Sequence, residues 1–116
     1  MKKPVTTEVR WDRMTAPDLA RAARKKTVVI IPLGATEQHG PHLPLSVDHV
    51  IAHETATAVV DAVGADLDVW QLPTLSVSKS NEHAWSPGTL WYSAETMMAM
   101  LRDLGRSVAS TGAERL

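Results

Sequence analysis

The run Thr27-Val28-Val29-Ile30-Ile31-Pro32-Leu33 shows no polar alternation. A strand with one wet face alternates apolar and polar side chains. A continuous apolar run therefore reads as a strand covered on both faces, as in a parallel sheet packed between helices. That requirement organises the rest of the chain. Ahead of the run, Thr15-Ala16-Pro17-Asp18 offers a cap, a first-turn proline and an early acid, predicting a short helix to about Lys26. Beyond it, Val50, Ile51, Ala58, Val59 and Ala62 keep roughly helical spacing within Val47 to Val63, with Asp48 in the first turn and Gly64 as the stop. Leu67 to Leu72 is the second strand. Ser93 caps a last helix whose apolar stripe is Met97, Met98, Leu101, Leu104 and Val108, ending at Gly112. The order is an α/β pattern that calls for another strand where the sequence reaches Leu116. Residues 1–116 are read as a single domain, the front part of a layered α/β fold.

Composition narrows the function classes. Twelve Lys and Arg stand against 13 Asp and Glu, a net charge of −1, and the longest basic block is Arg24-Lys25-Lys26. No basic face is available to neutralise a run of phosphates, so nucleic acid is not expected as a partner. The longest apolar run is far short of the ~20 residues of a spanning helix, and Met1 to Arg13 does not resemble a signal peptide. The chain has no cysteine, which excludes disulfides, thiolate metal sites and thiol nucleophiles together. A cytoplasmic setting is the default expectation. Any metal must be held by His, Asp and Glu.

Ligand-type residues are concentrated in one place. Four of the five histidines fall between residues 37 and 54, with Glu37 and Asp48 among them. Gly34 to Ser46, rich in glycine, proline and histidine, reads as a long loop leaving the carboxyl end of the first strand. In an extended segment Glu37 and His39 point to the same side, with Cα atoms about 6.5 Å apart. Asp48, at a helix start, could return across the loop to bridge two ions. Two ions about 3.5–4 Å apart sharing a carboxylate and a water generate hydroxide near neutral pH and polarise a carbonyl. Carboxylate and imidazole donors suit zinc, manganese or iron without choosing among them. A second long loop, Pro73 to about Tyr92, carries Glu82, His83 and the turn Pro87-Gly88-Thr89.

The segment Ile31-Pro32-Leu33-Gly34-Ala35-Thr36-Glu37-Gln38-His39-Gly40-Pro41-His42-Leu43-Pro44-Leu45, followed by Asp48, closely resembles the opening motif of the creatininase family of creatinine amidohydrolase-like enzymes. Glu82-His83 with Pro87-Gly88-Thr89 resembles that family's second loop signature. The resemblance implies a layered fold with a mainly parallel central sheet flanked by helices, here reaching its second or third helix. It also implies a homo-oligomer with two divalent metal ions. The reaction implied is hydrolysis of a cyclic amide or other amide-like C–N bond, of the creatinine-to-creatine type, by a metal-bridging hydroxide. Carried over by position, Glu37 and His39 are expected to ligate one metal each and Asp48 to bridge them. Glu82, His83, Gly88 and Thr89 are expected near the substrate, and His42 as a partner orienting a ligand. The family's remaining ligands and its acid/base lie in segments that match nothing up to Leu116. A noncatalytic relic, or a metal-binding or interaction module using half of the site, is the rival expectation.

Plainer readings apply elsewhere. His49 and His53 stand at i, i+4 but lack the following Glu of a zinc-protease helix, so a solvated helix face is expected. Trp85 and Trp91 could form a pocket wall or subunit contact, or simply pack in a core. Met97, Met98 and Met100 read as helix packing. No Gly-x-Ser-x-Gly elbow and no phosphate-cradling glycine loop occurs.

Overall fold

The computed structural model describes residues 6–116. Met1 to Val5, part of the segment read as carrying no signal peptide, lie outside the described residues. Helix α1 spans Ala16–Ala22 and begins on Thr15, whose side chain accepts the Asp18 N–H. It stops short of the expected Lys26 because Ala23 is already extended and Arg24 turns back, donating its N–H to the Thr27 hydroxyl.

Strand β1, Val28–Ile30, pairs in parallel with β2, Val69–Gln71, in the register Val28↔Val69, Val29↔Trp70 and Ile30↔Gln71. Both are shorter than the apolar runs suggest. Pro32 has no N–H for the ladder, so beyond Ile30 the pairing survives only as a bridge between Leu33 and Leu75. Parallel bridges from Arg10 to Gln71 and from Val28 to Arg115 extend the arrangement on both flanks. The Val29 N–H donates to the Arg115 carbonyl at 2.9 Å, so a further strand position follows the last helix, as the sequence pattern required.

The crossover differs from expectation at its end. Helix α2 spans Val47–Val59, then widens into a π turn over Val60–Gly64 and closes with the short α3, Ala65–Leu67. Gly64 is not the stop. A Cβ there would lie 2.8 Å from the Val69 carbonyl oxygen, so this glycine lets the helix approach β2. The stop falls to Asp68, in the left-handed region at φ 57°. Its carboxylate accepts from the buried Thr27 hydroxyl at 2.7 Å and its carbonyl from Val28 N–H at 3.0 Å, fixing where β1 and β2 begin.

Two hydrophobic clusters hold the sheet. Val9, Ala22, Ala23, Val60 and Trp70 join α1 and the π turn to β2, with Trp11 edge-on to Trp70 at 6.1 Å between centroids. Val29, Leu72, Val108 and Ala113 join β1 to helix α4, Ala94–Ala109. Ser93 caps α4 by accepting the Thr96 N–H, and Gly112, at φ 100°, lies in the turn beyond its end. Within the expected stripe Met97 and Val108 are buried, but Met98 is 62% exposed, because its position points away from the sheet.

Candidate metal centre

Two loops converge at the carboxyl ends of β1 and β2, and hydrogen bonds sew them together. The Leu90 N–H donates to the Thr36 carbonyl at 2.9 Å and the Thr36 hydroxyl to the Ser76 carbonyl at 2.7 Å, while the Tyr92 N–H donates to the Ser78 carbonyl at 2.9 Å and closes the second loop on itself. An open cleft of about 440 Å³ lies between the loops and α2, bordered by Glu37, Asp48, Lys79 and Glu82.

The first loop and the start of α2 bring Glu37, His39 and Asp48 together, one ligand atom from each within 4.8 Å of the others. All three are half-buried. The His39 Nδ1–H donates to the Glu37 carbonyl at 3.0 Å, which leaves Nε2 facing Asp48 Oδ1 at 3.1 Å. A neutral ring in that tautomer aims a lone pair at a carboxylate oxygen, so the contact is satisfied only by a proton on Nε2 or by a cation shared between the two atoms. The protonated form is accordingly favoured: the bond to the Glu37 carbonyl raises the His39 pKa above 6.5, desolvation opposes it, and Asp48 adds to it. The same spacing fits a cation. Nitrogen and oxygen ligands about 2.0–2.2 Å from one zinc lie roughly 3 Å apart. A backbone carbonyl holding Nδ1–H is also the usual way a ligating histidine is oriented. The Glu37 carboxylate has no hydrogen-bond partner among the described residues, leaving both of its oxygens available.

A second trio, Glu37, Glu82 and His83, also places one ligand atom from each residue within 4.8 Å of the others. Glu82 stands on a single 3-10 turn, Asn81–His83. Its carboxyl is held below the usual carboxylate range by its own backbone N–H, with the Lys79 ammonium at 3.2 Å adding to the effect.

Other expected residues have different surroundings. Thr89 is 6% exposed, and its hydroxyl accepts the Gln38 N–H at 3.3 Å, so it ties loop to loop. Gly88, at φ 90°, abuts Leu45: a Cβ there would lie 2.6 Å from Leu45 Cδ1. His42 is exposed and makes no hydrogen bond to Glu37, His39 or Asp48 among the described residues. His53 is exposed on α2, with Nδ1 2.9 Å from the Thr74 hydroxyl, and forms no ligand pair with His49. Trp85 and Trp91 are 74% and 48% exposed, which excludes core packing within this chain.

Sequence reasoning missed three residues. Gln38 joins the loops, Lys79 brings a positive charge to the cleft, and Gly34 lets the strand end touch α2, since a Cβ there would lie 2.3 Å from His49 Cα. Only Gly34 carried a local signal, a glycine directly after a strand.

No helix among the described residues is long and apolar enough to cross a membrane. Residues 12–116 match the Creatininase family, described as creatinine amidohydrolase. A mycofactocin precursor peptide peptidase of Mycolicibacterium smegmatis is 40% identical over 84 residues, covering 71% of this chain and 34% of that protein. The creatinine amidohydrolase of Pseudomonas putida is 33% identical over 98 residues, covering 84% of this chain and 38% of that protein. A mutant creatininase structure of Zn-Zn type superposes with a TM-score of 0.77 at 29% identity, covering 96% of this chain and 44% of the other. A manganese creatininase structure does so at 0.75 and 28%, covering 94% and 43%. The chain thus spans about a third of the length of these curated relatives. By the family match over residues 12–116 and the identity to these relatives, the chain belongs to the creatininase family.

Proposed function

We propose that this chain forms the N-terminal part of a divalent-metal hydrolase acting on amide-type C–N bonds, with Glu37, His39 and Asp48 as metal ligands. The observation that carries the reading is the His39 Nε2 to Asp48 Oδ1 contact beside the free Glu37 carboxylate. It is a site built for positive charge, at the carboxyl ends of parallel strands where α/β folds bind ligands. The zinc and manganese forms among the structural neighbours support a two-metal centre of either ion. Bound metal would supply an activated water and polarise the substrate carbonyl.

The residues of this chain supply the rest. The Glu37 carbonyl fixes the His39 ring, and the first turn of α2 fixes Asp48. Glu82, kept ionised beside Lys79, gives the cleft wall a paired charge that can meet a polar substrate without adding net negative charge.

Two substrate classes compete: a small cyclic amide, as for the creatinine amidohydrolase relative, and a peptide, as for the peptidase relatives. The higher identity to the peptidases favours a peptide substrate. The test is made on the whole natural gene product, purified and analysed for metal. It is then assayed for creatinine ring opening and for cleavage of a peptide panel. About two divalent ions per subunit with peptide cleavage is the expected result. Creatinine turnover alone would favour the cyclic amide. Metal without hydrolysis of either substrate would favour a binding module, and a metal-free protein would overturn the ligand assignment.

A further inference from the structure

Gln38 stands between two of the proposed ligands, yet its side chain turns to the second loop. Its Oε1 lies 3.0 Å from the Gly40 backbone N, and its Nε2 lies 3.2 Å from His83 Nδ1. The Gly40 N–H can only donate, so the oxygen of the Gln38 amide must be the atom facing it. The other end is then the NH₂ group, which also can only donate, so His83 Nδ1 must accept. A neutral imidazole with an accepting Nδ1 carries its proton on Nε2. The same residue is held a second time, through its N–H to the Thr89 hydroxyl at 3.3 Å.

We infer that Gln38 is a positioning residue that locks His83 as its Nε2–H tautomer, making His83 an uncharged hydrogen-bond donor to a substrate amide oxygen and not a metal ligand. Ligation needs a nitrogen lone pair. The one on Nδ1 is taken by Gln38, and Nε2 bears the proton. The group Glu37, Glu82 and His83 therefore does not act as a second metal site, although its atoms lie within 4.8 Å. An Nε2–H donor beside Glu37 and Glu82 can meet an amide oxygen, which only accepts. The substrate role of His83 rests on the proposed amide hydrolysis; the tautomer does not.

The test is nitrogen NMR of histidine-labelled whole gene product, with the His83 ring assigned by comparison with His83→Ala. Zinc alone is the metal probe. The expected result is a proton on His83 Nε2 in the unsubstituted protein, unmoved by zinc, and unchanged zinc content in His83→Ala. Gln38→Glu can accept from both Gly40 and His83, and should move the proton to Nδ1. Gln38→Met keeps the volume without the bond, and should give mixed tautomers. For whichever substrate is turned over, Gln38→Glu should lower kcat about 10–100-fold with little change in KM. A proton on Nδ1 in the unsubstituted protein, a zinc-induced displacement of the His83 nitrogen signals, or an unaltered tautomer in both Gln38 variants would overturn the inference. A locked tautomer in a protein that hydrolyses neither creatinine nor peptides would overturn the substrate role, leaving the lock in place.

Discussion

Gly34→Ala separates the contribution of the scaffold from that of the ligands. The backbone of Gly34 lies outside the left-handed region, so alanine meets no torsional objection there. The obstacle is steric: its Cβ would stand 2.3 Å from His49 Cα, 2.5 Å from His49 Cβ and 2.7 Å from His49 N. Carbon atoms in contact rest about 3.5–4.0 Å apart, so the two backbones must part by roughly 1.2–1.7 Å. No rotamer change relieves this, because two of the three opposing atoms belong to the main chain. His49 is the neighbour of Asp48 in the first turn of α2. The displacement is therefore passed to Asp48 Oδ1, which now stands 3.1 Å from His39 Nε2. Overpacking of this kind costs about 1–3 kcal/mol. Ligand misplacement of about 1 Å should lower zinc affinity by about two orders of magnitude, by analogy with misplaced catalytic groups. Calorimetric zinc titration and denaturant unfolding measure both effects on the same protein. Unchanged zinc affinity in a folded Gly34→Ala variant would refute the claim that this glycine sets the position of Asp48.

Other substitutions probe separate links. Glu37→Gln and Asp48→Asn should each abolish stoichiometric zinc binding and hydrolysis while leaving the circular-dichroism spectrum intact; retained zinc in either would remove that residue from the ligand set. Gly105→Ala in α4 meets only ordinary contact, 3.6 Å from Leu116 Cδ2, and should stabilise the protein by about 0.4–1 kcal/mol in urea unfolding. Ser93→Ala removes the acceptor for the Thr96 N–H and should cost about 1 kcal/mol in the same assay. The raised His39 pKa works in opposite directions on the metal-free and metal-bound protein. Without metal, the protonated His39 and Asp48 pair stabilises the fold fully below pH 6.5, and this contribution fades as pH rises through the higher folded value. Zinc competes with that proton, so zinc affinity should fall with acidification from above pH 6.5, and less steeply in His39→Ala.

The sequence by itself determined the kinds of element and the chemistry they could carry. The unbroken apolar run Val28 to Leu33 marked a strand, although the expected cover on both faces is only partial here, with Val29 buried, Val28 and Ile30 half-buried and Leu33 exposed; Thr15 and Ser93 announced helix starts through bonds made within one turn. The crowding of Glu37, His39 and Asp48 was likewise legible, because a loop and the helix start after it bring them together over a short stretch of chain. Where the elements end was decided by contacts that exist only in the folded chain. Gly64 looked like a helix stop, but the closeness of the Val69 carbonyl made it a packing residue and passed the stop to Asp68. Tertiary structure also decided the roles of Thr89, Gly88 and Gln38, whose partners lie on the opposite loop. Periodicity and capping act within a few residues and leave a trace in the local sequence. A hydrogen bond between Gln38 and His83 leaves none, since any polar residue on a loop could make it and only the folded backbone selects which one does.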